Sequence, residues 1–219
     1  RGASLIMSAR RLVIHIGRPK CGSTSIQHYL ASLDDRHRSM GVCYPLTHRT
    51  PSGYRNHRPL VGLQGRDLDE AIDQISREAS ANPDTRVIVV SAEGWSLSRN
   101  LESARRFGEG FCKRNPGCEA QALVYFRNPY AYIESCYAQM IKLGLLQVNA
   151  TSFFSDTQGT IEDFVAAANI SQGYPLTSIA EAVEVIRAGL GEIPVSFRSL
   201  ESEDLGEAGL LADLCAVIG

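Results

Sequence analysis

The sequence predicts an α/β fold, a three-layer sandwich in which a mainly parallel sheet lies between helices on both faces. Short apolar runs at residues 12–16, 87–90 and 120–126 are typical of strands buried on both sides. Stretches with apolar residues at helical spacing separate these runs, and strands joined in this way pair in parallel. With 219 residues, 44% of them hydrophobic, the chain can bury one substantial core, so we predict a single domain over residues 1–219.

The first strand is followed by a loop rich in small residues and then by an amphipathic helix. Residues 12–16 form the strand, and residues 17–23 break its pattern with Gly, Pro and hydroxyl side chains. Thr24 and Gln27 have the spacing of a capping box at the start of the helix. A loop that enters a helix in this way presents free backbone N–H groups and the positive end of a helix dipole. Phosphate or sulfate is the natural ligand of such a loop.

The remaining elements follow in chain order. They are an extended piece at 40–45, a helix at 66–79, a strand at 86–91, a helix at 100–114, a strand at 120–126, a helix at 130–143 that stops at Gly144, a polar loop at 149–160, helices at 161–168 and 177–188, a strand at 194–198 and a last helix at 205–217. Asn128 is expected to cap the helix at 130–143, with Pro129 in its first turn.

The overall charge and hydropathy limit the possible partners. The 22 basic and 24 acidic side chains nearly balance, so no general nucleic-acid footprint is present. No apolar run has the length of a membrane span, and no signal-peptide pattern precedes the first strand. Met7 has the context of a native start, which would make residues 1–6 an addition.

The six cysteines have no spacing that suits a zinc site, and no other metal-ligand cluster is visible. Cys112 and Cys118 are close enough in sequence to close a small loop. Free thiols in a reducing cytoplasm are the favoured interpretation, because the chain otherwise lacks the character of a disulfide-rich secreted domain.

Polar clusters follow three of the predicted strands. They lie at residues 18–25, at residues 91–96 and from Arg127 onward. Open parallel sheets bind ligands at the carboxyl ends of their strands, so Lys20, Glu93 and Arg127 are expected to converge on one crevice. This convergence is the strongest physical argument for a site.

The loop differs from the standard nucleoside-triphosphate loop. That motif places Lys after its last Gly, whereas Lys20 precedes Gly22 here. A Mg²⁺-dependent kinase also needs an aspartate at a strand end, where this chain has Glu93 and Arg127. An ATP-dependent phosphotransferase is therefore an alternative, but the weaker one.

The ordered segments HIGRPKCGSTS, VVSAEGWS and YFRNPYAYIESCYAQ resemble the PAPS-dependent sulfotransferases, and GVCYP and FRSLESEDL are similar to their bacterial branch. The resemblance covers nearly the whole chain. It implies a P-loop-like sulfotransferase fold, 3′-phosphoadenosine 5′-phosphosulfate (PAPS) as sulfuryl donor, and no metal. The acceptor would be a small molecule, a carbohydrate or a lipid with a hydroxyl or amine group.

The resemblance also assigns donor-binding residues. The loop for the 5′-phosphosulfate would consist of Arg18, Pro19, Lys20, Cys21, Gly22, Ser23, Thr24 and Ser25. Arg127 and Ser135, eight positions apart, would grip the 3′-phosphate. Lys20 would also act in catalysis by stabilising the charge that grows on the bridging oxygen as the S–O bond breaks.

Sulfuryl transfer to an alcohol needs a base to remove the acceptor proton. Glu93 is the first candidate, although a structural role for it is almost as well supported. His57, in a basic loop at 48–59 that is either a solvated surface loop or a mobile flap, is the second. His15 is expected to be a core histidine with its hydrogen bonds satisfied. Trp95 either packs in the core or stacks on a ligand ring.

Two departures from the family pattern generate further expectations. Cys21 replaces the usual Thr or Ser, and a thiol at a helix N-terminus tends to have a lowered pKa, so alkylation is expected to inhibit and nucleotide to protect. Many members continue past the last helix with a basic, Gly-containing closing segment, which is absent before the sequence stops at Gly219. The adenosine site is then completed differently, the sequence is cut short of that segment, or activity has been lost, so a catalytically silent module that binds PAPS or its bisphosphate product is a further alternative.

Overall fold

Five parallel strands form one sheet with helices on both faces, which confirms the predicted α/β fold. The structure is a computed structural model that describes residues 10–32, 34–51, 53, 55–143, 160–206 and 209–219. The strands are β1 (Arg10–Ile16), β2 (Val42–Cys43), β3 (Val87–Ala92), β4 (Cys118–Phe126) and β5 (Val195–Ser199). Their order across the sheet is β2-β3-β1-β4-β5, and every neighbouring pair is parallel.

The described helices cover both faces of the sheet. They are α1 (Ser23–Ser32), α2 (Asp34–Ser39), α3 (Gly65–Ser80), α4 (Ser98–Arg114), α5 (Pro129–Lys142), α6 (Ile161–Gln172), α7 (Ile179–Leu190), α8 (Ser202–Leu205) and α9 (Gly209–Ile218), with short 3₁₀ turns at Arg58–Leu60 and Glu93–Ser96. One apolar cluster joins the sheet to α3, α4 and α7, and a second joins it to α1, α5, α6 and α9. Within β1, Leu12 and Ile14 enter the first cluster and Val13 enters the second, which is the alternation of a strand covered on both faces.

Most predicted helices are confirmed, since their apolar faces are buried as the spacing indicates. In α3 and α4 these faces consist of Leu68, Ile72, Ile75 and Ala79, and of Leu101, Ala104, Phe107 and Phe111. Asn128 caps α5 as predicted, because its side-chain oxygen accepts the N–H groups of Tyr130 and Ala131. Within the described ranges, no helix is both long and apolar enough to cross a membrane.

Two local predictions are wrong. The capping box of Thr24 and Gln27 does not form: Gln27 is buried, donates to the Ser91 hydroxyl at 3.0 Å, and leaves its own side-chain oxygen without a partner. The last helix is divided, because Gly206 follows α8 with a φ of 61° and α9 begins only at Gly209. The predictions for residues 1–6, Met7, Gly144 and the polar loop at 149–159 lie outside the described residues.

The sheet order determines where the polar clusters meet. Strand β1 lies between β3 and β4, with Ile16 opposite Ala92 and His15 opposite Leu123. The carboxyl ends of these three parallel strands therefore lie side by side at one edge of the sheet. The loop at 17–23, Glu93 and Arg127 all follow directly from this edge.

Candidate anion-binding active site

The anion loop, residues 17–23, makes a tight turn between β1 and α1. Its carbonyl at Arg18 accepts the N–H of Cys21 at 3.2 Å and the hydroxyl of Ser23 at 3.0 Å. Lys20 and Gly22 both have left-handed φ values, 59° and 74°, and such a conformation is costly for a residue with a side chain. The Lys20 side chain is exposed and extends from the loop. Lys20 is therefore accessible from solvent near the start of α1, and its contact with a ligand stays a prediction.

Two glycines allow other segments to approach the anion loop closely. A Cβ at Gly17 would lie 2.7 Å from the Ser23 hydroxyl and 3.1 Å from Cγ of Glu93. A Cβ at Gly22 would lie 2.5 Å from Cδ2 of Leu210, which packs against the loop from α9. Gly22 therefore has two structural reasons to be glycine, its positive φ and this packing. Its contact with a ligand stays a prediction.

Glu93 lies beside the anion loop, in the short turn that follows β3. Burial raises the pKa of its carboxyl, while the positive charges of Lys20 and Arg58 oppose that effect. No hydrogen bond or ion pair to this carboxylate is found in the described part of the chain. A half-buried carboxylate next to a lysine, with its oxygens available, can accept a proton.

Arg127 follows β4 on the other side of the anion loop. Its backbone N–H interacts with the Cys21 thiol, so the end of β4 and the loop are in contact. Cys136, in α5, lies within electrostatic range of Arg18, Lys20 and Arg127. The three cations thus surround one region. Ser135, next to Cys136, is half-buried, and no hydrogen bond joins it to Arg127 in the described structure, so their pairing over a phosphate stays a prediction.

Arg18 has an unexpected environment. Its side chain is buried, and its guanidinium carbon lies 4.6 Å from the ring centre of Phe126, 4.5 Å from that of Tyr132 and 5.8 Å from that of Tyr174. These rings form an aromatic box contributed by β4, α5 and the segment after α6. The Nε of Arg18 has no hydrogen-bond partner. Sequence spacing could not show this box, because Tyr174 is far from the loop along the chain.

His57 is not placed to act as a base, which corrects the second candidate for this role. The imidazole is fully buried, its Nε2 donates to the Pro45 carbonyl at 3.0 Å, and its Nδ1 accepts the Ser91 N–H at 3.2 Å. Burial lowers the pKa of His57 to about 4. One ring nitrogen ties the basic loop to Pro45, just after β2, and the other ties it to Ser91 of β3, so neither can take a proton from an acceptor.

The core histidine of β1 matches its prediction only in part. His15 is fully buried and its Nδ1 shares a 2.8 Å hydrogen bond with the Ser91 hydroxyl, but its Nε2 has no partner. Burial lowers its pKa to about 4, so the ring is neutral near pH 7. Trp95 is a packing residue: it is fully buried, donates to Ser103 and lies against Phe107.

Cys21 corrects another expectation. The thiol is fully buried, and burial raises its pKa to about 11, with the nearby Arg18 opposing that effect. Desolvation of the thiolate raises the pKa of Cys21 more than the positive end of the helix lowers it, so Cys21 is not the reactive thiol that its sequence position suggests. The Ser23 hydroxyl, expected as a ligand donor, is also committed to the Arg18 carbonyl. Thr24 and Ser25 remain exposed.

The six cysteines are all free thiols, as expected, and the reducing cytoplasm stays a prediction. The described side chains include no group of three or more His, Cys, Asp or Glu residues placed to hold a metal ion.

Comparison with known proteins adds information about the fold. No family profile and no curated protein matches the sequence. The structure is similar to a sulfotransferase from Alicyclobacillus acidocaldarius, with 16% identity, a TM-score of 0.47, and coverage of 96% of this chain and 81% of that chain. It is also similar to the sulfotransferase domain from the curacin biosynthetic pathway, with 14% identity, a TM-score of 0.45, and coverage of 95% and 73%. Similarity at this level carries no argument about the site. Both of these proteins are described as sulfotransferases.

Proposed function

We propose that the chain is a sulfotransferase that moves the sulfuryl group of PAPS to a hydroxyl or amine acceptor by in-line transfer. One observation carries the proposal. The ends of three adjacent parallel strands bring Lys20, Glu93 and Arg127 around one anion loop, and Lys20 is within electrostatic range of Glu93. A cation for the donor, a carboxylate for the acceptor proton and a second cation for another phosphate are the groups that this reaction requires.

The anion loop and the two cations would hold the donor. Backbone N–H groups at the start of α1 suit the 5′-phosphosulfate, and Lys20 can neutralise charge on the oxygen that leaves sulfur. Arg127 can bind the 3′-phosphate with two parallel hydrogen bonds, which a lysine cannot do. The buried Nε of Arg18 in this loop, which has no hydrogen-bond partner among the described residues, also fits an anionic ligand.

Glu93 would act as the general base. Burial raises its pKa toward neutrality, which brings it closer to the range in which a carboxylate is an efficient base near pH 7. With His57 buried and its ring nitrogens both in hydrogen bonds, Glu93 is the remaining candidate of the two.

Two measurements test the proposal. Thermal stabilisation by 3′,5′-adenosine bisphosphate is compared with stabilisation by ATP–Mg²⁺, and sulfate transfer from labelled PAPS is then assayed with alcohol, sugar and amine acceptors. Arg127→Ala should abolish most of the stabilisation by the bisphosphate. Arg66→Ala is the matched control, because Arg66 is an exposed arginine on α3 that forms an ion pair with Glu70.

Each alternative has its own result. Preferential stabilisation by ATP–Mg²⁺ would favour the phosphotransferase, and bisphosphate binding without transfer to any acceptor would favour the silent binding module. Unchanged bisphosphate affinity in Arg127→Ala would refute the role of Arg127 at the 3′-phosphate.

A further inference from the structure

The anion loop contains a buried cation without a carboxylate partner. Arg18 is 4% exposed, and none of the described carboxylates lies within ion-pair distance of its guanidinium. Its side-chain neighbours are the aromatic box, in which the Tyr174 hydroxyl forms a hydrogen bond with the guanidinium, and the thiols of Cys21 and Cys136. An arginine remains charged at any ordinary pH, so this charge is removed from water without a formal counter-charge.

The surrounding groups do not supply a negative charge near neutral pH. Burial raises the pKa values of the Tyr132 and Tyr174 phenols, and it also raises those of the Cys21 and Cys136 thiols. All four groups are therefore neutral between pH 6 and pH 8. The faces of the aromatic rings attract the guanidinium, but they balance only part of its desolvation.

A second buried arginine in the same chain has a carboxylate as its counter-charge. The side chain of Arg49 is 8% exposed and also lies over a tyrosine, with its guanidinium carbon 5.1 Å from the Tyr44 ring centre. Arg49, however, forms two hydrogen bonds to the Asp34 carboxylate, at 3.0 and 2.7 Å. The two sites are alike in burial and stacking and differ in the counter-charge.

We propose that Arg18 is the buried counter-charge for the anion that binds the anion loop. No carboxylate of the described residues balances its positive charge, and a sulfate- or phosphate-bearing ligand in the loop would supply the balancing charge. The aromatic box holds the guanidinium close to Cys136, which is also within electrostatic range of Lys20 and Arg127. This proposal rests on anion binding at the loop, which is part of the proposed function, but it does not depend on sulfuryl transfer.

The size of the effect follows from Coulomb's law. If the bound anion lies roughly 8 to 10 Å from the guanidinium, two unit charges at an effective dielectric constant of about 20 interact strongly enough to change affinity by more than about tenfold. We therefore expect Arg18→Met, which fills the box without a charge, to weaken binding of inorganic sulfate at least about tenfold. Sulfate is a suitable probe because its charge does not change between pH 6 and pH 8.

The experiment compares three variants with the unmodified chain by isothermal titration with sodium sulfate at constant ionic strength. Arg18→Lys keeps a positive charge at this position. The charge is most complete at low pH, because burial lowers the pKa of a lysine. At pH 6 this variant should bind sulfate within about threefold of the unmodified chain, whereas Arg18→Met should bind weakly at both pH 6 and pH 8. Arg49→Met, the matched control, should lose fold stability and leave sulfate affinity unchanged.

The two roles of Arg18 are thereby separated. If Arg18 only supports packing, Arg18→Met binds sulfate as the unmodified chain does, or Arg18→Lys at pH 6 binds as poorly as Arg18→Met; either result overturns the proposal. Because the readout is sulfate binding, absence of sulfuryl transfer would refute the proposed function and leave this inference standing.

Discussion

The assignment of His57 as a structural residue predicts a specific pH dependence of stability. The pKa of this imidazole falls from the usual 6.5 to about 4 because the ring is desolvated by burial. As the pH falls below 6.5, the unfolded chain therefore takes up a proton that the folded chain refuses, and unfolding becomes more favourable. The contribution of the neutral His57 to the free energy of unfolding is fully present above pH 6.5 and is lost as the pH falls toward 4.

The magnitude follows from these two values. Each pKa unit corresponds to about 1.4 kcal/mol, so between pH 7 and pH 5 one such histidine lowers the free energy of unfolding by about 2 kcal/mol. His15 has a pKa of about 4 for the same reason and contributes a similar amount. The unmodified chain should thus lose about 4 kcal/mol from its two buried histidines over this range.

His57→Gln is the perturbation that isolates one of these contributions. A glutamine can keep the donor to the Pro45 carbonyl without a titrating ring. We expect urea denaturation at pH 7 and pH 5 to show a loss about 2 kcal/mol smaller in His57→Gln than in the unmodified chain. Contributions from carboxylates cancel in the difference between the two proteins. Equal losses in both proteins would refute the buried, neutral histidine. Sulfate transfer should survive the substitution, and a thousandfold loss of kcat in a folded variant would restore His57 as a base.

Three further predictions concern the anion loop and its neighbours. Cys21 should resist iodoacetamide in the folded chain while the half-exposed Cys112 reacts, and both should react in urea; rapid labelling of native Cys21 would contradict its burial. Glu93→Gln should lower kcat for sulfate transfer by roughly 10²- to 10⁴-fold with bisphosphate binding unchanged, and a rate within a few-fold of the unmodified chain would exclude Glu93 as the base. Gly22→Ala and Gly62→Ala both place a side chain at a positive φ, 74° and 82° respectively, which costs about 1–2 kcal/mol in each variant. The two variants differ because the new Cβ at position 22 would lie 2.5 Å from the Leu210 side chain of α9, whereas the one at position 62 would have no heavy atom within 4 Å. Gly22→Ala should therefore destabilise the chain more in urea denaturation, and equal effects would show that α9 does not restrict the loop.

Local patterns in the sequence were sufficient to predict most of the fold. The apolar runs at 87–90 and 120–126 became the interior of β3 and β4, because strands covered on both faces consist mainly of apolar side chains. Asn128 and Pro129 marked the start of α5, since capping depends only on neighbouring residues. The division of the last helix was missed because Gly206 alone did not show that the chain would adopt a positive φ there.

The sequence by itself determined the strand-loop-helix unit, the anion loop with Lys20 before Gly22, and the placement of Glu93 and Arg127 at strand ends, because each depends on short-range order along the chain. Only the tertiary structure decided which of these groups are accessible and charged. Burial makes His57 unsuited to act as a base and Cys21 unsuited to act as a reactive thiol. Residues from β4, α5 and the segment after α6 enclose Arg18. Desolvation depends on what packs around a group from distant parts of the chain, and no local pattern reports that.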